Sequence, residues 1–166
     1  MGKISQLSDS DIDRIIEANS NTVYKLAYAQ VRNKNDADDV YQEVFLRFIK
    51  KRPVFESVEH EKAWFIKVTV NCCKNFWNTS FFKHTQPLTD ENAIAFRSEE
   101  SSWLTPLVNK LPPSYRTVVH LFYYEDMPTA KISEILGKKQ STVRVQLKRS
   151  REILKGLLEG DESDAL

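Results

Sequence analysis

Apolar residues recur through the first half of the chain at three- and four-residue spacing, as in Ile12, Ile15 and Ile16 and again in Val23, Leu26, Ala27 and Val31, and strand-like alternation is absent. The pattern predicts helices throughout. A first helix starts after Ser8 or Ser10 as its N-cap, with acids in the first turn, and a second covers about 21–32. Asn33 and Asn35 mark a turn. A third helix runs over about 36–51 and ends at Arg52-Pro53, because the residue before a proline is pushed out of the helical region. After a loop at 53–58, a fourth helix takes up about 59–79.

From 81 to 98 the periodicity lapses, with Pro87, Thr89, Asp90 and Asn92 scattered through it, as an inter-domain linker requires. Beyond it the pattern predicts a helix near 99–110, a break at Leu111-Pro112-Pro113-Ser114, a helix over 114–125 and a short one over 129–136. Gly137 ends the short helix where a left-handed cap costs least, and Ser141 is placed to cap a last helix reaching about 158. Residues 159–166 are an acidic tail, expected to fray. The fold class is therefore all-α: two small helical domains, 8–80 and 99–158, joined by a flexible linker at 81–98.

The segment TAKISEILGKKQSTVRVQLKRSREIL consists of two helices around a short glycine-containing turn, the layout of a helix-turn-helix. Ile132, Ile135 and Leu136 give the first helix an inward face, and Val143, Leu147 and Ile153 or Leu154 can pack against it. Arg144, Lys148 and Arg151 are then left on an outward face, joined by Arg149 and, toward the N-terminal end, by Ser141, Thr142 and Gln146. Arginine and lysine pair with guanine edges and glutamine with adenine, while N-terminal amides and hydroxyls hold phosphate. A basic helix face is also compatible with simple solvation. The preceding short helix, the glycine turn and the Ser-Thr start are jointly what groove entry needs, and they favour duplex DNA.

Composition changes this picture less than it first suggests. With 24 Lys plus Arg against 23 Asp plus Glu in 166 residues, the net charge is only +1, which as a bulk number argues against a nucleic-acid binder. Between Lys138 and Lys155, however, seven cations face the single acid Glu152, so the total hides a strongly basic stripe. No apolar run is long enough to insert in a membrane, and the start MGKISQLSDSDID has no secretory pattern, so a cytoplasmic protein is expected. Cys72 and Cys73 are helix neighbours pointing about 100° apart, better read as buried thiols than as ligands. His60, His84 and His120 are scattered, so neither metal nor cofactor is expected. No nucleophile, base and phosphate loop come together, and no enzyme activity is expected.

Two further helix faces carry information. On the third helix Asp36, Asp39, Gln42 and Glu43 share one face, leaving Val40, Val44, Phe45 and Phe48 for the core or for a partner's groove. Those acids also suit a solvated surface that complements the helix dipole. On the fourth, Lys67, Asn71, Lys74, Asn75 and Asn78 form a polar, cationic stripe opposite Phe65, Val68, Cys72 and Phe76. Amides and lysines at that spacing suit the base edges and phosphates of a single strand, and Trp64 or Phe55 nearby is able to stack on an unpaired base. The alternative for Trp64, Phe65, Phe76 and Trp77 is plain core packing.

Taken together, Asp36-Ala37-Asp38-Asp39-Val40-Tyr41-Gln42-Glu43-Val44-Phe45, Ala63-Trp64-Phe65, Val70-Asn71, Lys74-Asn75, Leu111-Pro112, Tyr115-Arg116, Phe122-Tyr123-Tyr124-Glu125-Asp126, Ile132, Ile135 and Ser141-Thr142-Val143-Arg144 occur in an order and spacing that resembles the extracytoplasmic-function group of the sigma-70 family. The resemblance spans about 21–158 and implies a promoter-specificity subunit of bacterial RNA polymerase. It implies that Asp39, Gln42, Glu43 and Leu46 meet the clamp helices of the beta-prime subunit, with the beta flap as a further polymerase contact. It also implies that Asn71 and Asn75 read bases of the melted minus-ten strand. Lys67 and Lys74 would follow that strand's backbone, and Trp64 with the loop 53–61 would form the pocket for a flipped base. Ser141, Thr142, Arg144, Gln146, Lys148, Arg149 and Arg151 would meet the minus-thirty-five duplex. An anti-sigma factor is a further implied partner. The chain departs from the family in Ser141, where glycine is frequent, in Ser133, where alanine is common, and in a glycine-free loop 53–61, all of which bear on the preferred bases. The rivals are a stand-alone helix-turn-helix regulator and a helical adaptor that binds protein only.

Overall fold

The structure, a computed structural model, describes residues 7–80 and 105–164, and every regular element among them is helical. The chain divides into two compact units, Met1–Leu88 and Thr89–Leu166. The linker expected at 81–98 lies outside the described residues, as does His84.

The first unit contains α1 (Asp9–Val31), α2 (Lys34–Lys51) and α3 (Val58–Ser80), each packed on the other two. Ser8 caps α1 through a reciprocal box: its hydroxyl accepts from the Asp11 amide at 3.2 Å and its own amide donates to the Asp11 carboxylate at 3.2 Å. The Ser8 hydroxyl also donates to the Asp11 carboxylate at 2.8 Å, and this bond, with that from the Ser8 amide, holds the Asp11 carboxyl below its usual pKa. The two helices expected at the start are one. Nothing between Ile16 and Asn21 breaks the backbone, and Asn19 and Ser20, just before the expected second start, bond backward within the helix: Asn19 Nδ2 donates to the Ile15 carbonyl at 2.8 Å and Ser20 Oγ to that of Ile16 at 2.6 Å. Asn19 also donates to Glu61 at 3.2 Å, and Ser20 shares a hydrogen bond with the Tyr41 hydroxyl at 3.1 Å, so the polar pair ties α1 to both partners. Asn33 caps α2 by accepting from the amides of Asn35 and Asp36, while Arg32 and Arg52 end α1 and α2 in the left-handed conformation.

The centre of this unit is aromatic. Phe48, fully buried, lies 5.3 Å from Phe65, 6.1 Å from Trp64 and 6.4 Å from Phe55, and Phe45 meets Phe65 at 5.4 Å. Val40, Val44, Phe45 and Phe48 are all buried in the protein's own core, so they are not held out for a partner's groove.

The second unit is built from shorter pieces: α4 (Thr105–Val108), α5 (Pro113–Val119) continued by a single π turn over His120–Tyr124, α6 (Thr129–Leu136) and α7 (Gln140–Asp164). Of the helix expected near 99–110, the described part is α4. Pro113 occupies the first position of α5, where its missing N–H is no loss. The buried Arg116 donates through Nη1 to the carbonyls of Asn109 and Leu111 at 3.2 and 3.1 Å, fixing the turn that enters α5. The core is aliphatic, with Leu111, Val118, Leu121, Ile132, Val143 and Leu147 at its centre. α7 continues to Asp164, past the 158 where the sequence suggested an acidic frayed tail, and passes through Gly156 and Gly160 without interruption.

Candidate nucleic-acid and polymerase interfaces

The turn between α6 and α7 is fixed by backbone conformation and three side chains. Gly137 takes φ +64°, the left-handed region, with its amide bonded to the Ser133 carbonyl. Ser133 Oγ donates to the Lys138 carbonyl at 2.7 Å, so the residue that stands where the family commonly has alanine closes the turn. Gln140 Nε2 donates to Thr129 Oγ1 at 3.0 Å and clamps the start of one helix to the start of the other. That clamp starts α7 at Gln140, with the Val143 amide bonded to the Lys139 carbonyl; Ser141 is an exposed first-turn residue and not the cap.

Val143, Leu147 and Ser150 are the buried stripe of α7, and Leu154 is half-buried beyond them, whereas Ile153 is exposed. Opposite that stripe Ser141, Thr142, Arg144, Lys148 and Arg149 are exposed. Arg144 and Lys148 are one helical turn apart and form one cationic edge of the face. Gln146 is half-buried, with Oε1 shielded from solvent. Arg151 is exposed but engaged: its Nε donates to the Tyr123 hydroxyl at 2.7 Å, and its guanidinium lies 5.6 Å from the Phe122 ring and 5.7 Å from that of Tyr123. The π turn supplies the reason. One extra residue per turn changes the angular phase after His120, so His120 and Leu121 point inward while Phe122 and Tyr123 meet Arg151. No signal in the sequence pairs residues 123 and 151.

On α3, Lys67, Asn71, Lys74 and Asn75 are exposed along one face; the side chain of Asn78 lies outside the described residues. Trp64, at the head of that face, is half-buried and packed edge-on to Phe65 at 4.9 Å and to Phe55 at 5.8 Å. Phe55 in turn packs against His60 at 5.6 Å, and His60 Nδ1 accepts from the Glu56 amide at 3.1 Å. The loop is thus ordered from within by an aromatic cluster, and it and the first residue of α3 expose two aliphatic side chains, Val54 and Val58, that sequence reasoning does not single out. They carry no periodicity, so only the structure separates them from core valines.

On α2, Asp39, Gln42 and Glu43 are exposed, and Leu46 is 50% exposed with Ile49 beside it at 42%. Glu43 accepts from Arg47 Nε at 3.0 Å, a surface pair one turn apart. The face therefore combines acids with two uncovered aliphatic side chains, the composition of a protein-docking helix. Beneath it, burial pushes the Cys72 thiol up and that of Cys73 up to about 12, so both stay protonated at neutral pH. Among the described residues no helix is long and apolar enough to cross a membrane, and no three His, Cys, Asp or Glu come together as metal ligands.

Residues 15–80 match the family Sigma-70 region 2, and residues 102–154 match Sigma-70, region 4. The chain belongs to the extracytoplasmic-function sigma factors. It is 28% identical to the RNA polymerase sigma factor SigV of Bacillus subtilis over 138 residues, covering 80% of this chain and 81% of that protein. It is 25% identical to the sigma factor SigW of the same organism over 175 residues, with 92% and 93% covered. Among solved structures, the sigma factor RpoE in complex with the anti-sigma factor NepR from Bartonella quintana has the same fold, with a TM-score of 0.71, 16% identity and coverage of 90% and 98%. The function follows from the paired regions: this sigma factor directs RNA polymerase to promoters, and a stand-alone helix-turn-helix regulator has no counterpart of the region 2 match.

Proposed function

We propose that the sigma factor divides its work by face. The exposed arc of α7, with Ser141, Thr142, Arg144, Lys148 and Arg149 and with Gln146 at its margin, takes the major groove of the minus-thirty-five element. The Lys67, Asn71, Lys74 and Asn75 face of α3 takes the melted minus-ten strand. Trp64 acts there as a wall of the base pocket, because its packing on Phe55 and Phe65 fixes its plane. Asp39, Gln42, Glu43 and Leu46 of α2 dock on the beta-prime clamp helices, and the second unit meets the beta flap. Arg151 supports the duplex-reading helix through Tyr123 as well as contributing charge. The sigma factor has no catalytic step of its own; the polymerase supplies it. The protein acts in the cytoplasm, and an anti-sigma factor binds it and holds it inactive; RpoE of Bartonella quintana, which shares the fold, forms a complex with the anti-sigma factor NepR.

The observation that carries this reading is the cationic, exposed face of α7 behind a turn locked by Gly137, Ser133 and Gln140, in a chain whose other unit matches region 2. In vitro transcription with core polymerase tests it. Promoter-directed initiation appears only when the chain is added; initiation on no member of a genomic fragment library rules the reading out. Replacing Arg144 with alanine is expected to cost about 1–3 kcal/mol on a cognate promoter and to relax choice at one base pair. Equal losses on all promoters would make Arg144 a phosphate anchor.

A further inference from the structure

The centre of the exposed arc of α7 is not basic. At 100° per residue, the direction opposite Val143, Leu147 and Ser150 falls on Val145 and, two turns further along, on Glu152, with Ser141 one turn before Val145, Arg149 one turn after it and Lys148 beside it. Val145 is 44% exposed, where Val143 is 0% and Leu147 2%, so it takes no share in the core. Between Gln140 and Glu152 every other exposed side chain is polar or charged.

We propose that Val145 is a specificity residue, reading the C5 methyl group of a thymine on the floor of the major groove. This rests on the assignment of α7 to the duplex. A face pressed into the groove removes water from whatever lies at its centre, and a valine has no hydrogen bond to return. Guanine and adenine edges offer acceptors, and adenine and cytosine offer amino donors; each is left unpaired against an isopropyl group. Only the thymine methyl gains from the contact, by burial of apolar surface on both sides. Arg144 and Lys148 run along one side of the valine and Arg149 lies on the other, and contacts from them to neighbouring bases or phosphates set the register that aims it.

The test uses polymerase holoenzyme assembled with the full chain and a promoter fragment selected from genomic DNA. Each thymine of the minus-thirty-five element, on either strand, is replaced singly by deoxyuridine, which lacks the methyl and keeps the O4 acceptor. At one position the replacement is expected to weaken binding about fourfold, the value of one buried methyl. Val145→Ala should weaken binding to the thymine promoter by a similar factor and should abolish the response to deoxyuridine. Val145→Thr, which keeps a methyl, should retain that response. Insensitivity to deoxyuridine at every position, or an undiminished deoxyuridine penalty in Val145→Ala, overturns the proposal. If Arg144→Ala and Lys148→Ala weaken binding while no methyl effect is found, the valine assignment alone fails. If those two variants also bind normally, α7 is not on the duplex and both assignments fall together.

Discussion

The two units solve the same problem, burying an all-helical core, by different means. The first uses three helices of 23, 18 and 23 residues and fills the space between them with rings; Phe65 lies 5.4 Å from Phe45 and 5.3 Å from Phe48, and Phe55 and Trp64 close the end. The second brings helices of 4, 7 and 8 residues against α7 and cannot cover as much apolar surface with each. It relies instead on local devices: a buried arginine on turn carbonyls, a π turn, a left-handed glycine and a serine bridge. Volume stabilises one unit, and backbone geometry the other. The difference suits their proposed tasks, since the first must expose two separate faces on a rigid body, and the second must hold one helix at a fixed angle to its turn.

The strongest way to break this contrast is to remove the ring at the centre of the first unit. Phe48→Ala should destabilise that unit by about 3–5 kcal/mol, the usual result of emptying an aromatic core site. Hydrogen exchange read by peptide mass spectrometry should show protection lost across α1, α2 and α3. A loss confined to α2 would mean that the ring cluster does not unite the unit. In the second unit the counterpart is Arg116→Met, which keeps most of the apolar stem but orphans the Asn109 and Leu111 carbonyls, at an expected cost of about 2–3 kcal/mol. Chemical denaturation followed by exchange in α5 measures it. A variant as stable as the parent would show that the arginine fills space and does no more.

Alkaline pH separates the units without mutation. Burial raises the Cys73 thiol from 9.0 to about 12, and burial with the nearby Asp38 raises the Tyr24 hydroxyl from 10.0 to about 12. Both groups hold their protons more tightly folded than unfolded. Their stabilising contribution is complete below about pH 9 and declines as pH rises toward 12, by up to about 1.4 kcal/mol per pH unit for the buried Cys73 thiol fully titrating in the unfolded chain, and by less for the solvent-screened Tyr24. Cys73→Ala should flatten the decline measured by urea denaturation at successive pH values. An unchanged slope in that variant would remove the thiol from the account.

What the sequence made legible follows the same division between local and distant causes. The Asn33 turn, the Pro53 boundary, the Gly137 stop and the basic face of α7 each depend on residues within a turn of one another, and the residue pattern displays them. The continuity of α1 through 16–21 is not legible because Asn19 and Ser20 can cap a helix or bond to carbonyls four residues back, and which occurs depends on Glu61 and Tyr41 across the unit. The tie between Arg151 and Tyr123 spans 28 residues and needs a π turn that has no sequence signature. Val145 is hidden for the opposite reason: a valine within a helical period reads as core until the phase of its neighbours is fixed.

The smallest effect is the cleanest test of the idea that geometry, and not packed volume, holds the second unit. A Cβ added at Gly137 meets no atom within 4 Å, so Gly137→Ala changes no contact and fills no cavity. Its whole cost is that of holding an L-residue at φ +64°, about 1–2 kcal/mol. Gly156→Ala is the matched control: there too the space is open, but the residue is inside a helix, where alanine is the better former, and a gain of about 0.5–1 kcal/mol is expected. Thermal unfolding of the pair should therefore move in opposite directions from the same added methyl. If Gly137→Ala left stability unchanged, the turn would have to be able to relax without the left-handed cap, and the angle between α6 and α7 would then be set by Ser133 and Gln140 alone.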